Sequence, residues 1–312
     1  MRIPGPARLL LVALTLVLSA CGQPEPTGTT PGAAPPDQGT FPVTISAANG
    51  EVTIDAQPER IVSLSPTATE ILFAVGAGDQ VVAVDDQSDY PEGVPTTKLS
   101  GYEPNVEAIA EYEPDLVISS GEGGLKSLKD LKIPLVVHPT AVTLDDTYTQ
   151  IEQTGSITGH VSEAAEQVTE IRSSIEELTA EVSDIDPPPT YYHELDETYF
   201  SVTSDTFIGQ IYALAGLENI ADKADKAGSG YPQLSAEYIV DSDPDLIFLA
   251  DSECCQQTPA VVSKRPGWDK IAAIENRHIV EVGDDIASRW GPRVVDFLRI
   301  AVDAVKELET GS

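Results

Sequence analysis

Glu107-Ala-Ile-Ala-Glu-Tyr-Glu-Pro114-Asp115-Leu-Val-Ile-Ser-Ser120 decides how this chain is built, because the chain contains it twice. The second version, Glu237-Tyr-Ile-Val-Asp-Ser-Asp-Pro244-Asp245-Leu-Ile-Phe-Leu-Ala250, stands 130 positions further on, with Glu, Ile, Pro, Asp and Leu at matching places. The flanks agree as well: Gly101-Tyr102-Glu-Pro precedes the first copy and Gly230-Tyr231-Pro-Gln the second. Each copy reads as a short helix, a Pro-Asp stop and a buried strand. Proline lacks an N–H and biases its predecessor away from the helical region, so the helix ends before it. The unbroken apolar runs Leu116-Val-Ile118 and Leu246-Ile-Phe-Leu249 then read as strands covered on both faces, as in a parallel sheet. A unit repeated at this distance predicts two similar α/β lobes; a solenoid would repeat every ~20–50 residues.

Length agrees, since 312 residues favour two domains. With Lys+Arg 18 against Asp+Glu 51 the net charge is -33. That argues against nucleic acid as a partner, whose phosphates need clustered Lys and Arg. It also argues against an electrostatic hold on anionic lipid. The plain meaning of so acidic a surface is solvation. Membrane attachment enters by another route. Arg2 and Arg8 flank the start of the apolar run Leu9–Leu18, too short to span a bilayer, and Leu18-Ser19-Ala20-Cys21 follows. Residues 1–21 therefore read as a lipoprotein signal peptide ending in a sequence that resembles a bacterial lipobox. Cys21 would be the diacylated, palmitate-bearing mature N-terminus, an anchor of two chains. Residues 22–40, of which 13 of 19 are Pro, Gly or Thr, read as a flexible tether.

Residues 41–161 are assigned to an N-terminal α/β lobe. Phe41–Ile54 alternates around Asn49-Gly50, a hairpin signal. Arg60–Leu64 reads as a strand, followed by Ser65 as N-cap and Pro66 as first residue of a helix that Gly76 closes. That hand-over places Ser65 at the C-terminal edge of a sheet, where open α/β sheets bind ligands. Val81–Val84 and Leu135–Val137 are further strands, with loops at Asp85–Pro91 and Gly121–Gly124. Ser162–Ser183 is a long helix, apolar at Ala165, Val168, Ile171, Ile175, Leu178 and Val182, and Pro187-Pro188-Pro189 stops it. Residues 162–186 are read as the helix connecting the lobes; the other reading is a covering helix of the first lobe. Residues 187–312 form the C-terminal α/β lobe. It holds a strand Tyr191–Leu195, a helix Phe207–Leu214, the second repeat copy, a strand His278–Val282 and a closing helix Pro292–Leu308.

Ser63-Leu-Ser65-Pro66-Thr-Ala-Thr69-Glu70, then Ser88-Asp89-Tyr90-Pro91, then Asn105-Val-Glu107-Ala-Ile109 with Pro114-Asp115-Leu116-Val117-Ile118, resemble one family in that order. It is the iron-siderophore, haem and vitamin B12 class of substrate-binding proteins of ABC importers, and the resemblance runs from Val43 to about Glu307. The resemblance implies an α/β fold of two similar lobes with central, mostly parallel sheets, joined by one long α-helix, with the ligand cleft between them. It implies an extracytoplasmic monomer, held at the membrane through Cys21, that delivers its ligand to an ABC permease dimer. Glu107 and Glu237 match the glutamates that pair with permease arginines; the other reading is an acid favoured by the first turn of a helix. Ser65, Gln87, Gly121 and Glu122 in the first lobe, and Asp251, Arg289, Trp290 and Arg293 in the second, match positions where members touch ligand. Tyr102 and Tyr231 stand one per lobe where members carry an aromatic or ligand-contacting residue. Their flat rings suit a macrocycle or an aryl group, the alternative being a core role. Arg289 either meets an anionic ligand group or bridges to one of the many acids.

Members that bind B12 carry a Trp where this chain has about Ile286, and a disulfide whose partners are not matched. The expected cargo is therefore a ferric siderophore or haem, with B12 not favoured. A sensor or ligand-shuttling scaffold of the same fold, uncoupled from import, is the other reading. Cys254-Cys255 are adjacent, with three possible states: a vicinal disulfide, two thiols or a metal pair. The four histidines, His138, His160, His193 and His278, show no metal-ligand spacing, although His193 at a strand end suits an axial haem ligand. No resident cofactor or metal is expected. Catalysis is not expected either: there is no Gly-x-Ser-x-Gly, and Gly121-Glu-Gly-Gly-Leu-Lys126-Ser127 departs from a P-loop at Leu125 and puts Glu122 where phosphate would sit.

Overall fold

A computed structural model describes residues 39–182 and 185–310. The signal peptide, Cys21, the tether up to residue 38 and the expected helix end at Ser183 lie outside the described residues. The described chain opens with the hairpin Val43–Ala47 (β1) and Gly50–Ile54 (β2), paired from Val43↔Ile54 to Ala47↔Gly50. The turn is Ala48-Asn49, and Gly50 opens β2 at φ +105, a conformation that favours glycine.

Strands Ile61–Leu64 (β3), Val81–Val84 (β4), Leu116–Ser119 (β5) and Leu135–Val137 (β6) make a parallel sheet of order β4-β3-β5-β6. The hairpin attaches to its β6 edge through Asn49. The Asn49 amide donates to the Leu135 carbonyl at 2.8 Å and accepts from the Val137 N–H at 3.1 Å. Pro66–Ala74 (α1) follows β3 and Val106–Ala110 (α2) precedes β5; then come Leu144–Thr158 (α3) and Val161–Ala180 (α4). The second sheet holds Thr190–Glu194 (β7), Glu218–Asn219 (β8), Leu246–Leu249 (β9) and Ile279–Glu281 (β10). It too is parallel, in the order β8-β7-β9-β10. Its helices are Phe207–Leu214 (α5), Ala236–Ser242 (α6), Ser252–Cys255 (α7), Pro259–Val262 (α8), Ala272–Glu275 (α9), Asp284–Ser288 (α10) and Val294–Thr310 (α11). In both parallel sheets the sheet's own first strand lies between its second and third, with the fourth outside, so the repeat in the sequence is a repeat of topology.

The match extends to single residues. Asn105 caps α2 and Ser235 caps α6, their side chains accepting from N–H groups of the first turn. In both copies a non-glycine residue with positive φ stands between the helix and the proline, Glu113 at +48 and Asp243 at +47. Asp115 then accepts from the N–H groups of Glu59 (2.8 Å) and Arg60 (3.0 Å) at the start of β3. Asp245 accepts from the N–H and hydroxyl of Thr190 (2.8 and 2.9 Å) at the start of β7. One carboxylate per lobe thus fixes the register of the central strand.

Along each strand the side chains alternate between two apolar layers. Ile61, Leu116 and Ile118 face one layer and Val62, Leu64 and Val117 the other. In the second sheet Tyr191, Leu246 and Phe248 join the same layer as Ile61, while Tyr192, Ile247 and Leu249 form a layer of their own. The shared layer runs through α1, α3, α4, α5 and α11, so a single core crosses from one lobe to the other. α4 contributes Ala164, Val168, Ile171, Ile175 and Leu178, close to the predicted stripe, and its 20 residues make a rod of about 30 Å.

α3 is the element that the sequence conceals. Its residues are rich in Thr, Gln and Asp, poor helix signals apart from Gln. A Thr143–Asp146 capping box starts it. Gly155 lets it lie against α4, since a Cβ there would stand 2.3 Å from that of Ala164.

Candidate functional site

The C-terminal ends of both sheets carry the residues singled out from the sequence. In the first lobe β3 runs into Ser65, whose hydroxyl caps α1 by accepting from the Ala68 N–H. Thr69, one turn on, donates to the Ser63 hydroxyl at 2.8 Å and lies 3.0 Å from that of Ser88. These buried hydroxyls tie α1 to the loop after β4. Ser65 is itself buried, its hydroxyl spent on the cap. Gln87 is exposed, and its carbonyl accepts from Arg289 at 3.0 Å. Gly101 has no room for a side chain, because a Cβ would fall 2.7 Å from both the Asp85 carboxylate and the Leu64 carbonyl. This close approach holds the next residue, Tyr102, at the strand-end edge with 94% of its surface exposed.

The second lobe repeats the arrangement. Gly230 accepts from Thr203 N–H at 2.9 Å and Pro232 from Ser201 N–H at 3.0 Å, which seats Tyr231 against the loop after β7, 46% exposed. Neither tyrosine is a core residue. Tyr90, 45% exposed, is a third ring on this side, with the Arg293 guanidinium 4.2 Å from its centroid. Gly121 is half-buried; Glu122 is exposed and lines a surface cavity of about 800 Å³ between the hairpin and Lys126, Lys129 and Lys132.

Arg289 and Arg293 have protein partners. Arg289, buried to 7% exposure, reaches Glu70 at 3.0 Å, Asp89 at 3.1 Å and Asp285 at 2.5 Å. Arg293 grips the same Glu70 in bidentate fashion, at 2.9 and 2.5 Å. Of the two roles open to Arg289, the structure displays the bridge. Glu70 and Asp89 belong to the first lobe and the arginines to the second, so the four residues clamp the lobes together. Two hydrogen bonds flank the clamp, from the Thr147 hydroxyl to the Trp290 carbonyl at 3.0 Å and from Gln210 to the Val142 carbonyl at 2.8 Å. Trp290 is half-buried, its indole N–H without a partner.

Asp251 departs most from expectation. It is fully buried, and neither carboxylate oxygen has a hydrogen-bond partner. Burial and the nearby Glu194 carboxylate push its pKa up to about 7. Glu194, also fully buried, is held by Arg265 through two bonds of 2.5 and 2.6 Å. Arg265 also donates to Gln257 at 2.8 Å and lies 4.6 Å from the Trp268 ring. Glu194, Arg265 and the clamping role of Glu70 escaped the sequence reading, because each depends on a partner far away along the chain. His193 is corrected as a haem ligand. It is fully buried on the face of β7 toward α5, 2.9 Å from the Tyr212 hydroxyl, and burial lowers its pKa to about 3. Among the described residues no group of three or more His, Cys, Asp or Glu is placed to hold a metal ion.

Glu107 and Glu237 occupy the second position of α2 and α6, and both are exposed. Cys254 and Cys255 are bonded to each other.

The chain matches the periplasmic binding protein family over residues 61–286. It belongs to that family. A periplasmic binding protein relative from Bacillus subtilis, an uncharacterized ABC transporter substrate-binding lipoprotein YvrC, is 32% identical over 96% of this chain and 95% of its own length. A cobalamin-binding protein from Halobacterium salinarum is 30% identical over 93% of this chain and 81% of its own. Among solved structures, a possible iron-binding periplasmic solute-binding protein from Staphylococcus epidermidis superposes with a TM-score of 0.70 at 27% identity, covering 80% of this chain and 99% of that one. No helix among the described residues is long and apolar enough to cross a membrane.

Proposed function

We propose that this periplasmic binding protein is the extracytoplasmic, lipid-anchored receptor of an ABC importer, and that its cargo is a corrinoid held between Tyr102 and Tyr231. One observation carries the choice of cargo. The strand-end edges offer exposed aromatic rings, one at the same place on each lobe, while both arginines expected at the ligand are engaged with Glu70, Asp89 and Asp285. Ring faces stack on flat macrocycles without needing charge, whereas an anionic chelate calls for a free guanidinium. The cobalamin-binding name of the Halobacterium relative supports this reading. The missing Trp near Ile286 weighed against B12 in the sequence, and Tyr90, Tyr102 and Tyr231 supply rings from other positions.

Haem or a ferric siderophore is the second reading. It is favoured by the exposed tyrosines, since a phenolate is a known type of haem-iron ligand, and by the iron-binding title of the Staphylococcus structure.

Binding closes the cleft by a small amount, because α4, the shared core and the Glu70 clamp resist a wide swing. Glu107 and Glu237, at matched exposed helix starts, dock the two lobes onto two permease subunits, and the transporter's conformational change opens the cleft through contacts that differ between states. The test is calorimetric titration of the full chain with cyanocobalamin, haem and a ferric hydroxamate. Saturable binding of cyanocobalamin at micromolar concentration or below is the expected result. Binding of either iron ligand alone would move the cargo to the second reading. Heat from none of the three would count against import of this class.

A further inference from the structure

The bonded pair Cys254–Cys255 lies exposed in α7, between the end of β9 and the start of α10. On one side the Asp251 carbonyl accepts from the N–H groups of Cys255 at 3.2 Å and Gln257 at 3.3 Å, and the Gln257 side chain reaches Arg265. On the other side the N–H groups of Glu253 and Cys254 both donate to the Asp284 carboxylate, at 3.2 and 2.8 Å. Asp284 opens α10, and the residue that caps the far end of α10 is Arg289, which joins the lobes through Glu70 and Asp89. The pair is therefore hydrogen-bonded to the start of α10, the helix whose far end is Arg289 of the interlobe clamp.

We propose that Cys254–Cys255 is a thiol–disulfide exchange site whose reduction loosens that clamp. The co-reactant is a dithiol reductant of the thioredoxin class. One of its thiolates attacks a sulfur of the pair, the S–S bond breaks, and a mixed disulfide forms with one cysteine freed. The reductant's second thiol displaces the other cysteine and the reductant leaves as a disulfide. Two electrons and two protons end on Cys254 and Cys255. With the bond intact, one ring through both sulfurs and the peptide between them fixes the backbone that donates to Asp284. Once it opens, residues 254 and 255 regain conformational freedom, which opposes the ordered contact with Asp284. α10 and Arg289 are then held less firmly.

The inference does not rest on which cargo is bound, so it is tested without ligand. Hydrogen exchange of the full chain is followed by mass spectrometry before and after dithiothreitol, with the thiol state of the 254–255 peptide read from its mass. Reduction is expected to speed exchange at least fivefold in residues 283–291 and in α1 around Glu70, to leave the β1–β2 hairpin unchanged, and to reverse on reoxidation. In D284N, reduction is expected to leave exchange in residues 283–291 unaltered. The double substitution C254S/C255S is expected to show the reduced pattern with or without dithiothreitol; if it does not fold, the wild-type comparison stands on its own. A pair that resists dithiothreitol, or one that is reduced with no change in residues 283–291, overturns the proposal.

Discussion

Asp115 and Asp245 act alike, and Leu64 and Glu194, at matched positions of the strands those carboxylates clamp, do not. Both aspartates follow a proline and fasten the first residues of a central strand by backbone hydrogen bonds. At the far end of that strand the first lobe places an apolar Leu64 and the second a fully buried Glu194, answered by Arg265 and crowded by Asp251. At the position matching Asp251 the first lobe has Gly121. The two lobes thus share the local devices that build the frame, namely the cap, the left-handed stop and the aspartate clamp. They part at the C-terminal strand ends, where ligands bind in open α/β sheets.

The sharpest way to break the comparison is to remove the charge partner that only the second lobe has. Arg265→Met leaves Glu194 and Asp251 buried without a cation and is expected to cost about 3–5 kcal/mol in urea unfolding. Next comes the clamp between lobes. Arg289→Met takes one of two guanidiniums from Glu70 and is expected to cost about 2–3 kcal/mol, less than loss of a sole partner, with faster hydrogen exchange in α1 and in residues 284–291.

Asp251→Asn sharpens the contrast through pH. The folded-state pKa of Asp251, about 7, lies above the usual carboxylate value, so the folded state binds the extra proton. Stability is therefore lost as pH rises from about 4 to about 7 and is level above that window. That loss sets the slope of stability against pH across the window. The asparagine variant is expected to flatten it and to be more stable than wild type by about 2 kcal/mol at pH 8, with no difference at pH 4. The smallest effect tests the shared frame. Asp115→Asn and Asp245→Asn are each expected to cost about 1–2 kcal/mol, and to cost the same within error. Unequal losses would show that the repeat is one of topology only.

What the sequence made legible is what depends on near neighbours. The doubled helix–Pro-Asp–strand unit, the cap at Ser65, the hairpin at Asn49 and the stripe of α4 are all set within a few residues, and all are found. α3 was hidden because its helix rests on a capping box and a close fit against Ala164, not on an apolar stripe. The charged parts of the site were hidden for a different reason. Arg289 meets Glu70 across 219 positions and Arg265 meets Glu194 across 71, and no local pattern tells a guanidinium which acid it will find. A match to family positions made Arg289 and Asp251 candidate ligand contacts; the structure pairs Arg289 with Glu70, Asp89 and Asp285 and buries Asp251 without a hydrogen-bond partner.

The account's central claim is that each lobe offers one ring to one flat ligand. Titration of cyanocobalamin into Tyr102→Ala, Tyr231→Ala and the double variant tests it most directly. Each ring is expected to contribute about 1.4 kcal/mol, so each single change should weaken binding about tenfold and the double change about a hundredfold. Wild-type affinity in either single variant would contradict the claim, because the ligand would then rest on one lobe alone.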